Sequence, residues 1–298
     1  MKTKIFTLIV FWGISIFSFT NAMQPTTFLK DENINGKVKS ITETYIGVKY
    51  KNEQRKNVYL FNAKGQMTKD TYYWQDKPSS SVTDYTYDAK GFFISEKTTD
   101  PTKGTTERKE TYLNDLKGNP IKENTYYDGS SKPSYVKTFT RNPAGKVLTE
   151  ITKTLPENKI YYPKLTYKYD TKGNKIEQYI EYGYGDYSKS KYHLTYNKKG
   201  KIEKEIEDSE FTSMVTGELE YRKTIKIYMY DEKDRILTVT NNSGDIYEQY
   251  VYDDKGNITK DKEAEYIYEY DEKDNWIKKT TAKGGEIYCI EERIYVYV

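Results

Sequence analysis

The chain of 298 residues carries a formal net charge of +3, one cysteine, one histidine and 33 tyrosines. The single cysteine excludes an intramolecular disulfide and a cysteine-based metal site. The near balance of basic and acidic residues excludes the long-range field that recruits nucleic acid or an anionic membrane. Aliphatic residues are too sparse for one compact enzyme core. Tyrosine combines an apolar ring with a polar hydroxyl, which suits a thin sheet with half-buried faces.

Residues 1–22 have the pattern of a secretory signal peptide. Two lysines precede an apolar run over residues 5–19, and small residues precede the expected cleavage after Ala22. The apolar run is shorter than the roughly 20 residues that a membrane-spanning helix needs. We therefore expect an exported bacterial protein, either periplasmic, cell-surface or secreted, with no membrane span after cleavage.

The rest of the chain repeats one short unit. Its clearest copy is Tyr167-Lys168-Tyr169-Asp170-Thr171-Lys172-Gly173-Asn174. Clear and degenerate copies place a glycine, or twice an aspartate, at the last turn position. These turn positions are Gly65, Gly91, Gly118, Gly145, Gly173, Gly200, Asp234, Gly256 and Asp274. The spacing is regular as far as Gly200 and irregular afterwards.

Each part of the unit has a physical reason. Alternation in Tyr-x-Tyr places both rings on one face of a β-strand. Asp170 can accept hydrogen bonds from backbone amides further along the turn, and Gly173 can adopt positive φ without a Cβ penalty. Asp-x-x-Gly is the chemistry of a type I turn closed by a G1 bulge. Aspartate tolerates positive φ better than most residues, which explains Asp234 and Asp274.

The unit therefore predicts an all-β fold of tandem antiparallel β-hairpins, which form an elongated twisted sheet, an open solenoid or a partial shell. We expect N-terminal cap strands over residues 23–56 and the hairpin array over residues 57–298. The array ends in a closing strand at residues 294–298. Residues 205–222 interrupt the pattern, as a long loop or a decayed repeat.

The recurring unit, over roughly residues 57–280, resembles the YD repeat of the RHS/YD-repeat family of bacterial surface and toxin-associated proteins. This resemblance implies β-strands wound into a shell, and it implies a connection with carbohydrate binding or toxin delivery. The chain is shorter than the shell-forming members, so the resemblance implies a small exported relative.

No residue pattern predicts catalysis. His193 lies in a strand pattern without a catalytic partner, and Cys289 alternates like a small buried apolar residue. The turn aspartates recur once per hairpin, so capping of the turn explains them better than a reaction centre. We expect no enzyme, no cofactor and no metal site.

Aromatic residues near the loops between hairpins are the candidates for ligand binding. Clustered tyrosine and tryptophan beside small residues can stack on sugar rings or anchor a protein partner, although packing at strand edges would also explain them. The candidates are Tyr72, Tyr73, Trp74, Tyr126, Tyr127, Tyr161, Tyr162, Tyr182, Tyr184 and Tyr187.

Three functions follow from these patterns. The first is a non-catalytic binding or scaffold module of the cell envelope or extracellular space that recognises a glycan. The second is a protein-interaction module, with an envelope protein as partner, associated with toxin delivery or surface adhesion. The third, a hydrolase of envelope polysaccharide, has the least support because no catalytic constellation is present in the sequence.

Overall fold

A computed structural model describes residues 28–49, 53–75, 81–156, 164–182, 188–212 and 217–298. In this part of the chain a single short helix, α1 (Phe28–Asp31), precedes 21 strands. The strands are β1 Val38–Gly47, β2 Gln54–Phe61, β3 Met67–Trp74, β4 Ser81–Tyr87, β5 Phe93–Asp100, β6 Thr105–Asn114, β7 Pro120–Tyr127, β8 Tyr135–Arg141, β9 Val147–Thr154, β10 Lys164–Tyr169, β11 Lys175–Tyr182, β12 Ser188–Tyr196, β13 Ile202–Thr212, β14 Leu219–Tyr230, β15 Ile236–Thr240, β16 Ile246–Gln249, β17 Val251–Tyr252, β18 Ile258–Lys260, β19 Glu265–Tyr270, β20 Trp276–Lys283 and β21 Glu286–Tyr297.

The strands form one antiparallel sheet in which chain neighbours pair, and β1 also pairs with β21. The sheet is therefore nearly closed and barrel-like. Among the described strands, its one seam lies between β16 and β17, which follow each other directly in the chain. Of these two, β16 pairs with β15 and β17 pairs with β18. The predicted all-β hairpin fold is confirmed, and of its predicted forms the partial shell is the one that this nearly closed sheet resembles most. The predicted signal peptide lies outside the described residues.

The hairpin turns have the predicted chemistry. In the turn between β10 and β11, the amide of Gly173 donates to the carbonyl of Asp170 at 3.0 Å. The Asp170 carboxylate accepts the amides of Lys172 and Asn174 at 2.9 and 2.8 Å. Gly173 has a φ of 82°, and the strand register shifts by one residue beside it. Asp234 has a φ of 62° at the equivalent position, so aspartate replaces glycine there as expected.

The second tyrosine of the unit ties each hairpin to the preceding one. The hydroxyl of Tyr169 donates to the carbonyl of Val147 at 2.8 Å, and that of Tyr230 to the carbonyl of Ile202 at 2.7 Å. The accepting residue is the second after the turn glycine or aspartate of the previous hairpin, except at Tyr270, whose hydroxyl donates to the Asp253 carboxylate. Where the tyrosine is absent, another donor replaces it: the Asn114 amide bonds the carbonyl of Phe93 at 2.7 Å. Part of the tyrosine excess thus joins neighbouring hairpins.

The two faces of the sheet differ in burial. Tyr167, Phe93 and Val239 lie on the buried face, which is the inner face because the sheet closes on itself. Middle residues of the Tyr-x-Tyr pattern, such as Met229 and Ile267, lie on the exposed outer face. Helix α1 packs against the inner face of β1 to β3, where Phe28 joins a cluster whose other buried members are Val38, Ile41, Phe61 and Met67.

A buried arginine holds the closure of the sheet. Arg293 on β21 donates to Glu43 on β1 at 2.7 Å and to Glu32, just after α1, at 2.8 Å. Its guanidinium also lies 3.8 Å from the centre of the Trp276 ring. The N-terminal segment, the first strand and the last strands are therefore fixed to one another by one side chain.

Residues 205–222 do not form the long loop that was one of the two expectations. They belong mainly to β13 and β14, which pair from Lys204 with Ile227 to Thr212 with Leu219. The hairpin is longer than the others and lacks the Tyr-x-Tyr pattern in this part, which is why the sequence looked irregular.

Candidate binding site on strands β5 to β7

The first predicted aromatic group is divided between the two faces of β3. Tyr72 and Trp74 share the inner face with Asp70, and Trp74 lies opposite Arg55, whose guanidinium is 5.3 Å from the tryptophan ring. Tyr73 lies on the outer face, where the Lys56 ammonium is 4.3 Å from its ring. These three side chains therefore do not form one binding surface.

Tyr126 and Tyr127, at the end of β7, are divided in the same way. Tyr127 lies on the inner face and packs edge-on against Tyr135 with ring centres 6.0 Å apart. Tyr126 lies on the outer face opposite Lys109, whose ammonium is 5.8 Å from the ring.

The remaining candidates cannot be assigned to a surface. Tyr161, Tyr162, Tyr184 and Tyr187 lie outside the described residues. Tyr182 ends β11, and its side chain is likewise outside what the structure describes.

Tyr126 lies in a cleft on the outer face, the Tyr126 cleft, with a volume of about 330 Å³. Strands β5 and β6 supply Lys97, Thr106 and Lys109. The loop after β7 supplies Gly129, Ser130 and Ser131. The cleft therefore combines one aromatic ring, two ammonium groups and three hydroxyl side chains.

A tight turn shapes the loop side of the cleft. Asp128 and Gly129 have φ angles of 50° and 70°, and the Ser130 amide donates to the Tyr127 carbonyl at 2.9 Å. Two successive residues with positive φ are typical of a type I′ turn, for which Asp-Gly is a preferred sequence. The turn directs the chain back over the end of β7, beside the Tyr126 ring.

The charges of this cleft are arranged unlike those elsewhere in the sheet. Lys97 and Lys109 lie directly opposite each other on β5 and β6. One rung away and on the inner face, Glu96 lies directly opposite Glu110. Every other directly opposed pair of charged residues in the described strands combines opposite signs. Like charges in this position destabilise a sheet, so β5 and β6 carry two unfavourable pairs back to back.

The inner pair is partly neutralised by its surroundings. Glu110 is 4% exposed, and its carboxylate accepts the guanidinium of Arg108 and, at 2.6 Å, the hydroxyl of Tyr112. Burial, followed by the charge of Glu110, raises the pKa of Glu96 to about 7. Burial also raises the pKa of Glu123 on β7, against the opposing effect of Lys137. Protonation of Glu96 would relieve the repulsion between the two opposed carboxyl groups.

The sequence contains a second recurring acidic position, which supplies these inner carboxyl groups and is not part of the turn signature. The fifth residue after the turn position is acidic in most of the regular hairpins, namely Asp70, Glu96, Glu123, Glu150 and Glu205. Pairing across the turn puts this residue beside the first tyrosine, as for Glu96 opposite Tyr85. The turn signature, which includes only the turn aspartates, does not identify this second acidic position.

A larger cleft, of about 620 Å³, lies between the N-terminal segment and the turns of the last hairpins. Its charged residues have both signs, and Lys255 forms an ion pair with Asp274 there. Three of its five charged lining residues are thus matched within the protein, since Glu32 also pairs with Arg293, whereas neither lysine of the Tyr126 cleft has an ion pair within the described residues.

The described ranges contain neither a metal-binding cluster nor a membrane-spanning helix. No cluster of three or more His, Cys, Asp or Glu side chains there could hold a metal ion. No helix in these ranges has the length and apolar character needed to cross a membrane.

No protein-family model matches the sequence, and no curated protein matches it. The resemblance to the RHS/YD-repeat family accordingly stays a prediction from the repeat.

Three solved structures are similar to this chain at low identity. A porin-like protein from Bacteroides uniformis is 12% identical, covers 87% of this chain and 96% of its own, and has a TM-score of 0.37. A porin-like protein from Bacteroides vulgatus is 11% identical over 88% of this chain and 100% of its own, with a TM-score of 0.30. The Photorhabdus luminescens Tc holotoxin pore is 11% identical over 69% of this chain and 17% of its own, with a TM-score of 0.18. With TM-scores below 0.5, these similarities carry no conclusion about function.

Proposed function

We propose that this protein is a non-catalytic binding module, exported to the bacterial envelope or the extracellular space, that recognises a glycan in the Tyr126 cleft. The observation that carries the proposal is the position of the Tyr126 ring beside Lys97, Lys109 and a loop of small hydroxyl residues. An aromatic ring supplies a stacking surface for a sugar, and nearby hydroxyl and ammonium groups supply hydrogen bonds to sugar hydroxyls.

The inner carboxyl groups support a non-catalytic role. Glycoside hydrolysis requires two carboxyl groups about 5 Å or more apart on either side of the scissile bond. Glu96 and Glu110 instead lie directly opposite each other on the inner face, and Glu110 is engaged by Arg108 and Tyr112. Because Glu110 is buried and already holds these two partners, the pair does not fit the arrangement in which two carboxyl groups flank a sugar.

A glycan array with the purified protein tests the proposal. We expect binding to at least one glycan class, lost in Tyr126→Ala and retained in Tyr73→Ala. Tyr73 is a matched control because it also lies on the outer face beside a lysine, Lys56. Absence of binding to every glycan would contradict the proposal, and loss in Tyr73→Ala alone would move the site to β2 and β3.

A protein-interaction module is the second candidate, favoured by an open strand edge on β14. Among the described residues, β14 pairs with β15 only through residues 227–230, so residues 219–226 bond to β13 on one edge alone. Tyr221 in this segment is 74% exposed. Such an edge can accept an extended peptide as an added strand.

Selection from a random-peptide phage library tests this second candidate. Peptides whose binding is lost in Tyr221→Ala and kept in Tyr126→Ala would support it. A library that yields no binding peptide would leave the glycan-binding proposal as the better one.

A further inference from the structure

We infer that the glycan taken by the Tyr126 cleft is an acidic saccharide, whose carboxylate or sulfate group lies between Lys97 and Lys109. This inference rests on the proposed glycan-binding function and specifies its ligand class. It starts from the back-to-back like-charge pairs of β5 and β6, which the fold alone does not require.

The two lysines can reach one anion together. Side chains of directly opposed residues in an antiparallel pair start about 4.5–5.5 Å apart, so two ammonium groups can approach the same carboxylate from both sides. Lys97 and Lys109 make no ion pair of 4.0 Å or less within the described residues. The aspartate on the other side of Lys97, Asp84, is held by Lys69 at 3.2 Å. Positive charge is therefore in excess along this row.

Two lysines that lie directly opposite a glutamate elsewhere on the sheet are already matched. Lys168 pairs with Glu177 at 3.0 Å, and Lys278 pairs with Glu269 at 3.0 Å. An anionic ligand would provide Lys97 and Lys109 with the negative charge that a glutamate provides to Lys168 and to Lys278. Binding of such a ligand would remove the repulsion between the two ammonium groups, because both would gain a charge-assisted hydrogen bond.

The sugar ring and the acidic group have separate places in the cleft. Tyr126 lies directly opposite Lys109 on the side away from Lys97, so ring, ammonium and ammonium follow one another across three strands. A saccharide lying across the strands would contact the Tyr126 ring with one residue and present its acid to the lysines with the same or the next residue. A free inorganic anion would use the lysines and leave the ring without a role.

The test compares acidic saccharides with neutral counterparts by isothermal titration calorimetry on the full chain. The probes are trigalacturonate against its fully methyl-esterified form, and sialyllactose against lactose. We expect at least one acidic saccharide to bind about tenfold to a hundredfold more tightly than its counterpart. The double variant Lys97→Gln/Lys109→Gln should remove this difference, whereas Lys168→Gln should preserve it. Added salt should weaken only the binding of the acidic probe.

The possible failures are distinguishable. Equal binding of acidic and neutral probes, lost in Tyr126→Ala, would overturn the inference and leave the glycan-binding function standing. Binding to no saccharide would overturn both. Sodium sulfate that binds as tightly as the acidic saccharide, with no effect of Tyr126→Ala, would also overturn the inference, because the site would then be an anion site without a sugar contact. Circular dichroism of each variant establishes that the sheet is intact.

Discussion

Two strand pairs of this sheet use charge in opposite ways. Between β21 and β1, Arg293 is buried and forms ion pairs with both Glu43 and Glu32. Between β5 and β6, the opposed residues have the same sign on both faces, with Glu96 against Glu110 inside and Lys97 against Lys109 outside. The backbone geometry is the same antiparallel ladder in both places.

The comparison indicates that stability and binding depend on different strand pairs in this fold. The β1–β21 pair joins residues about 250 positions apart, and its matched charges lie where the sheet must close. The β5–β6 pair is a local hairpin with ample backbone bonding, so it can tolerate unfavourable side-chain pairs. Sites that depart from the rules obeyed by the rest of a molecule are expected to be functional.

The largest effect is expected at the closing strands. Arg293→Met would leave Glu43 and Glu32 beside an apolar side chain, and loss of one partner of a buried ion pair costs about 3–5 kcal/mol. Urea unfolding at neutral pH should show a decrease in the free energy of unfolding of this size. The triple variant with Glu43→Gln and Glu32→Gln should recover much of it. A change below about 1 kcal/mol would mean that Arg293 does not hold the closure.

A change of opposite sign is expected inside β5–β6. The folded-state pKa of Glu96 is raised to about 7, so the folded protein binds more protons than the unfolded chain between its unfolded pKa and about 7. Stability is therefore greatest in the acidic part of this window and decreases as pH rises through about 7.

Glu96→Gln should remove that loss, because a neutral amide avoids placing a second negative charge on the buried face opposite Glu110. We expect a gain on the order of 2 kcal/mol at pH 8 and little change near pH 4.5, measured by urea unfolding at both values. Burial raises the pKa of Asp70 to about 6, which leaves a smaller slope of the same sign in the variant. Equal stability of the two proteins at pH 8 would show that Glu96 is not desolvated.

The ties between hairpins are expected to be alike inside and outside the β5–β6 pair. Tyr230→Phe removes the hydroxyl that bonds the carbonyl of Ile202, and Asn114→Ala removes the amide that bonds the carbonyl of Phe93. Each loss should cost about 1 kcal/mol in urea unfolding, the usual net value of one hydrogen bond. Arg141 makes the equivalent bond to the carbonyl of Pro120 at 3.0 Å, and its guanidinium lies 5.9 Å from the Phe139 ring. Phe139→Leu is therefore a packing control that leaves such a bond in place. A large difference between the two ties would indicate that β5–β6 differs in more than charge.

Much of the fold could be predicted from the sequence because its rules are local. The turn around Asp170 and Gly173 is encoded within four consecutive residues. The equivalent turn from Asp88 to Gly91 places Tyr85 opposite Glu96. The pairing of β1 with β21 could not be predicted, since it joins distant segments through ordinary alternating residues. Registers between hairpins depend on irregular loops, for which no turn signature exists.

The candidate site shows the same limit. Tyr126 was among the predicted aromatic residues. Which of Tyr126 and Tyr127 lies on the outer face depends on the alternation of side chains along β7, which is set by the turn before that strand. The opposition of Lys97 and Lys109 depends on the loop at residues 101–104, where Gly104 has a φ of 65°. One residue more in that loop would have paired different side chains.

The smallest expected effect distinguishes the two kinds of strand pair most clearly. The same substitution, Lys→Glu, should raise the free energy of unfolding at one position and lower it at the other. Lys109→Glu would turn the like pair with Lys97 into an opposite pair, which should stabilise the protein by about 0.5 kcal/mol. Lys278→Glu would turn the pair with Glu269 into a like pair and should destabilise by a similar amount. Thermal unfolding of both variants, with Lys→Gln at each position as the charge-neutral reference, measures the two signs.

If Lys109→Glu is stabilising and also abolishes binding of the acidic saccharide, the repulsion between Lys97 and Lys109 lowers stability and serves ligand binding. A destabilising Lys109→Glu would instead mean that the two ammonium groups do not face each other. That result would contradict the inference that the cleft binds an anionic group.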